Sequence, residues 1–318
     1  MPSQKGAMKS LEAVAEFLTT RGWVLVDDPE EQIVSLGSRW NNDNYVITAH
    51  ELYGETRYFL RLGRCGGLGR MARFDYEFGV LQSVGRSGVT PRPFYCDAAA
   101  VVGGEPVGAL LMEYLPGRDF EGAGDWELVA QALAVVHAQP LDSRLLVRND
   151  PVMDTYRLCA GPDAQDTTCG ATGAGRAGMD RHGEEWRAEL RSLVHEAGAL
   201  LRDEARVVVH GSVQLTDFVV DEDWGRAWLV DWESGGVSSR YADLGLFIAR
   251  AAAVGEAGFC RTEGEQQAFL AAYAQAAGLT VSTDVMLARA SLFARVCRLQ
   301  GLVAGRTEHV AGKGAASD

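Results

Sequence analysis

The stretch from Val207 to Leu244 gathers the side chains of this chain best suited to chemistry. His210, Ser212 and Asp217 follow one apolar run, and Asp231 and Glu233 follow another. Polar groups set just past short buried strands are held rigidly while remaining reachable, the usual setting of a site. A carboxylate at a strand end suits a hard divalent cation, so Asp231 is the first metal-ligand candidate and Asp217 the second. Each also has a plainer reading: Asp231 as a turn carboxylate, Asp217 as a cap on the turn after Thr216. Ser212 is an alcohol and cannot act as a general base near neutral pH.

Two β-rich runs must position these groups, VVVH (Val207–His210) and AWLVDW (Ala227–Trp232), with FVV (Phe218–Val220) joined to the second by the polar turn Asp221–Arg226. Upstream, apolar residues at helical spacing predict a helix over Ser10–Arg21. The runs QIVSL, YVITA and RYFLRL, broken by the polar stretches GSRWNNDN and ELYGE, predict a three-stranded meander. Met71–Val84 has a helical pattern, with Glu77 on it facing solvent, pairing with Arg73, or meeting a strand residue. Further helices are expected at Trp126–Gln139, Glu185–Arg202, Tyr241–Ala253, Glu265–Ala277 and Val285–Val303. Residues 160–183 are Gly-, Ala- and polar-rich without an apolar face, which predicts a long loop. The tail from Gly305 to Asp318 reads as disordered.

With 318 residues and 47% hydrophobic content the chain can bury a large core in two lobes. A net charge of −13 argues against a nucleic-acid partner, since phosphate contacts need a basic face. No apolar run has the ~20 residues of a membrane span, and the N-terminus lacks the apolar core of a signal peptide. The cysteines show no C-x-x-C spacing, as expected of a reduced cytoplasmic protein. The lysines are Lys5, Lys9 and Lys313, so basic chemistry elsewhere falls to arginine.

The run from His210 resembles the catalytic segment of the aminoglycoside phosphotransferase and choline kinase family, relatives of the protein kinases. That family reads H-G-D-x-x-x-x-N, then hydrophobic-D-W-E, then Y-D-L. Here the same spacing gives His210-Gly211-Ser212, Asp217, Val230-Asp231-Trp232-Glu233 and Tyr241-Ala242-Asp243-Leu244. Two letters differ: Ser212 stands at the position of the catalytic Asp, and Asp217 at that of the metal-binding Asn. VTPRPFYCD and ALLMEYLPG resemble the segment before the family's hinge and the hinge itself.

The resemblance implies an α+β, two-lobed protein-kinase-like fold. It would comprise a small antiparallel-sheet N-lobe (1–113), a larger mostly helical C-lobe (114–304) and the tail (305–318). It implies ATP and Mg²⁺ as cofactors, with metal at Asp217 and Asp231. Arg61 would grip the phosphates with Glu77 as its partner, the backbone at Met112, Glu113 and Tyr114 would read adenine, and the turn Gly37–Asn44 would cover the phosphates. His210 would hold the loop and Asp243 brace it, while His137 packs at a helix end. The activity implied is phosphoryl transfer to a hydroxyl of a small molecule or of a Ser/Thr in a precursor peptide, in bacterial secondary metabolism or antibiotic modification. The peptide route brings a partner lyase. Because Ser212 replaces the base, the alternative is a catalytically impaired pseudokinase that scaffolds a partner enzyme.

Overall fold

The structure, a computed structural model, describes residues 8–39, 42–51, 54–64, 68–122, 124–160, 181–253 and 259–313. Its contacts divide the chain into two compact units, Met1–Pro116 and Gly117–Asp318.

The first unit opens with α1 (Leu11–Thr20), capped by the Ser10 hydroxyl, and the short α2 (Pro29–Gln32). Strands β1 (Ile33–Arg39), β2 (Asn42–Glu51) and β3 (Gly54–Arg64) form the expected meander. After α3 (Leu68–Val84), β4 (Pro93–Val102) and β5 (Glu105–Glu113) complete an antiparallel sheet of order β1-β2-β3-β5-β4. Alternation along the strands sorts the residues. Ile33, Tyr45, Ile47, Leu60, Leu62 and Leu111 join Val14, Phe17 and Leu18 of α1 in one core. Val46, Arg61, Leu110 and Met112 alternate onto the other face.

The polar stretch expected as a turn from Gly37 to Asn44 is mostly ladder. Pairing runs on through Gly37↔Asn44, Ser38↔Asp43 and Arg39↔Asn42. The Ser38 hydroxyl donates to the Asp43 carboxylate, which gives these polar residues a reason to stay in register. Gly37 sits at φ +87° beside a register shift, a conformation that suits glycine.

The second unit begins with β6 (Arg118–Asp119), then α4 (Trp126–His137), α5 (Pro151–Ala160) and α6 (Arg181–Leu200). Helix α5 was not foreseen, and the expected loop shrinks from both ends, with residues 161–180 outside the described part. Strands β7 (Arg206–Val209), β8 (Phe218–Asp221), β9 (Arg226–Leu229) and β10 (Gly236–Ser239) carry the polar residues singled out above. They form a β10-β7 pair and a β6-β8-β9 sheet. Three helices follow: α7 (Arg240–Ala253), α8 (Glu263–Ala276) and α9 (Thr283–Lys313). Helix α9 runs past Gly305, where a disordered tail was expected; its sequence there lacks proline, so nothing in the backbone stops the helix. A Cβ on Gly245 would lie 2.3 Å from the Ala290 carbonyl, so glycine lets α7 lie tight against α9. Among the described residues no helix is long and apolar enough to cross a membrane.

Candidate active site

In the first unit, Arg61 and Glu77 are both buried and meet at 2.9 Å. Glu77 is thus no solvated helix residue. Two glycines bring its helix to the sheet. Gly63 and Gly108 pair across β3 and β5, and a Cβ on either would stand 2.3–2.4 Å from the Phe74 ring. The ring therefore occupies space that only glycines leave open. Glu77 lies nearly one turn beyond Phe74 on α3, and Arg61 two residues before Gly63 on the same strand face. Removing one member of a buried ion pair costs about 3–5 kcal/mol, so the arrangement holds α3 as well as the guanidinium.

At the end of β5, the Glu113 N–H already donates to the Arg92 carbonyl at 2.8 Å. Its carboxylate accepts from the Arg92 guanidinium at 3.1 Å. Met112 pairs with Phe59 on one side and Pro93 on the other. Tyr114 lies beyond the strand, its ring under Arg57 at 4.7 Å.

In the second unit the turn after β7 is braced from beneath by one carboxylate. Asp243, fully buried in the first turn of α7, accepts from the N–H groups of His210 at 2.7 Å and Gly211 at 2.8 Å. It also takes His137 Nε2 at 3.1 Å, while His137 Nδ1 meets the Tyr273 hydroxyl at 2.7 Å. Burial alone would raise the Asp243 pKa, but His137 and these backbone donors outweigh it and hold the carboxyl below its ordinary range. Gly211 has φ +86°, and a Cβ there would be 2.4 Å from the Ser234 carbonyl, so only glycine makes this turn.

His210 is fully buried, with Nε2 2.9 Å from the Val230 carbonyl and its ring edge-on to Trp232. A carbonyl only accepts, so Nε2 carries the proton. Nδ1 is 4.0 Å from an Asp217 carboxylate oxygen, too far for a hydrogen bond. The backbone of Ser212 is fixed by Arg250 of α7, which donates to its carbonyl at 2.6 Å and also to that of Val213.

Asp217 and Asp231 flank one end of the β8-β9 hairpin. The ladder pairs Phe218 with Leu229, and the Val230 N–H then donates to the Asp217 carbonyl at 2.9 Å. Asp217 also accepts from the Gln214 N–H at 2.7 Å, so it does cap its own turn. Asp231 takes a left-handed conformation, φ 67° and ψ 63°, uncommon outside glycine and costing about 1–3 kcal/mol. Burial raises the Asp217 pKa to about 6; the Asp231 charge adds to the rise, and His210 and Arg250 oppose it. Two carboxylates that repel each other on rigid backbone fit a divalent cation. Mg²⁺ is commonly held by one or two carboxylates together with substrate phosphates. Among the described residues no cluster of three or more His, Cys, Asp or Glu could hold a metal by itself.

The structure thus groups Arg61 with Glu77 in the first unit and Asp217 with Asp231 in the second, with Ser212 next to the turn that Asp243 braces. Sequence reasoning did not reach Arg250, the link from His137 to Asp243, or the Phe74 seat on two glycines. None belongs to a contiguous motif.

The architecture is that of the protein-kinase-like phosphotransferases. An aminoglycoside phosphotransferase from Streptomyces rimosus ATCC10970, solved with ADP and streptomycin, matches at TM-score 0.57 and 18% identity, covering 92% of this chain and 99% of that one. A choline/ethanolamine kinase family protein from Mesorhizobium loti matches at TM-score 0.59 and 16% identity, covering 96% and 88%. Amicoumacin kinase hAmiN, in complex with AMP-PNP, Ca²⁺ and Ami, matches at 0.58 and 14%, covering 90% and 84%. No curated protein matches the sequence. The model of the phosphotransferase enzyme family matches residues 32–290, and the chain belongs to that family.

Proposed function

We propose that this protein transfers the γ-phosphoryl group of Mg·ATP to a hydroxyl of a small molecule. The observation that carries the reading is the Asp217–Asp231 pair on adjoining strand ends, with the neighbouring turn locked by Asp243. Asp217 and Asp231 would hold Mg²⁺, which when bound neutralises phosphate charge. Arg61, steadied by Glu77, is a permanent planar cation suited to phosphate oxygens. Since Glu113 is engaged by Arg92, adenine would be read by the backbone at Tyr114. In the transfer, the acceptor oxygen bonds to the γ-phosphorus as the bond to the ADP oxygen breaks, and the hydroxyl proton leaves to solvent. Ser212 does not take that proton. A loose transition state asks little of a base until late, so losing the carboxylate slows transfer without abolishing it.

Ser212 is also the specific observation behind a second reading, a pseudokinase that binds nucleotide without transfer. Isothermal titration with Mg·ATP, followed by single-turnover assays over an acceptor panel, separates the two. Asp231→Ala is expected to abolish Mg·ATP binding, and unchanged affinity would remove the assigned site. Ser212→Asp is expected to raise the transfer rate by roughly 10²–10⁴-fold, the usual worth of a general base. Nucleotide binding with no transfer in either protein favours the pseudokinase.

A further inference from the structure

Away from these residues, α5 and α6 line an open pocket of about 410 Å³ in the second unit. That volume lies within the range of about 300–1,000 Å³ typical of small-molecule sites. Its wall is apolar: Met153 and Tyr156 from α5, and Trp186 and Leu190 from α6. Tyr156 and Trp186 stack on each other at 5.8 Å with 11° between their planes, so the two rings form one apolar block in the wall. Arg187 and Arg191 also line the pocket. Their spacing of four residues puts them on one stripe of α6, beside the stripe of Trp186 and Leu190. Arg187 lies 5.1 Å over the Trp186 ring.

The charge pattern of this pocket runs against that of the rest of the chain. The protein has a net charge of −13, yet among the described residues no carboxylate lines the pocket. The arginines nearby are neutralised: Arg157 by Asp154, and Arg295 by Glu189 and Glu196. Among the described residues, neither Arg187 nor Arg191 has an ion-pair partner. Two guanidinium groups without an ion-pair partner among the described residues, beside an apolar wall, favour an anion with an aromatic body and oppose a polycation. The pocket is also distinct from the phosphoryl-transfer residues. Leu158, whose Cδ1 lies 3.5 Å from where a Cβ on Gly211 would be, is two residues past Tyr156 and so on the opposite side of α5.

We infer that the α5–α6 pocket is a separate binding site for a small aromatic anion, held by apolar contact with Trp186 and Leu190 and by charge from Arg187 and Arg191. The test uses the full chain with 1-anilinonaphthalene-8-sulfonate as the anionic probe. N-phenyl-1-naphthylamine serves as its neutral counterpart. Saturable binding of one sulfonate probe per chain is expected. Trp186→Ala should weaken both probes by about tenfold or more, whereas Arg187→Gln with Arg191→Gln should weaken the sulfonate by about tenfold and the neutral probe less than about twofold. Far-UV circular dichroism and Mg·ATP binding should match the wild type in both variants, which controls for misfolding. Absence of sulfonate binding to the full chain overturns the inference, whether the pocket is empty or filled by another part of the protein. Equal affinity in all variants, or loss of both probes alike in the arginine variant, overturns it as well. Asp231→Ala should bind the probe normally, so failure of phosphoryl transfer bears only on the catalytic reading.

Discussion

Asp217 and Asp243 are both buried aspartates, yet their acidities move in opposite directions. Burial raises both. Asp243 is compensated by His137 and by the N–H groups of the turn it braces, whereas Asp217 gains one backbone donor and a neighbouring negative charge. A carboxylate with a raised folded pKa binds its proton more tightly in the native state, so ionisation weakens the fold. Metal-free stability should therefore carry a penalty from Asp217 that grows as pH rises from its unfolded value through about 6. Urea unfolding of wild type and Asp217→Asn should show a gap in favour of the Asn variant that widens by about 1 kcal/mol between pH 5 and pH 7. A gap independent of pH would mean that Asp217 is not the titrating group. Both motif aspartates were legible in the sequence by their spacing. Their opposite protonation behaviour was not, because it depends on donors from α4 and α7 and on a charge across a hairpin.

At the scale of elements, placement of α3 depends on two glycines far apart in the chain. Gly63→Ala introduces a methyl group where the Phe74 ring lies, and overpacking of this kind costs typically ~1–3 kcal/mol. The displaced helix should carry Glu77 away from Arg61, lowering both the melting temperature and the affinity for Mg·ATP. Phe74→Leu in the same chain, which frees the space, should recover part of each loss. A Gly63→Ala protein as stable as the wild type, with the same nucleotide affinity, would show that the ring yields without moving the helix. The strands of this sheet were readable from their alternation, and α1 from its apolar spacing. The Gly63–Phe74–Gly108 contact was not, since β5 reaches β3 only through tertiary pairing. The extent of the ladder past Gly37 was likewise hidden, because Ser38 and Asp43 look like turn residues until they face each other.

For the whole molecule, the family match and the second-unit geometry predict that nucleotide and cation act together. Mg·ATP at a hundredfold excess over its dissociation constant should stabilise the protein by about 2.7 kcal/mol, read as a rise in melting temperature. ATP with a chelator should give a much smaller shift, because Asp217 and Asp231 repel bare phosphates; equal shifts would argue against carboxylate-held metal. The sequence alone determined the lineage and the likeness to kinases, because the H-G-x, D-W-E and D-L letters lie within one short run whose spacing survives without knowledge of distant contacts. Only the tertiary structure decided which groups are paired, which are charged, and where arginines with no ion-pair partner among the described residues meet an apolar pocket. Those properties arise from burial and from partners on remote elements, and a linear pattern does not carry them.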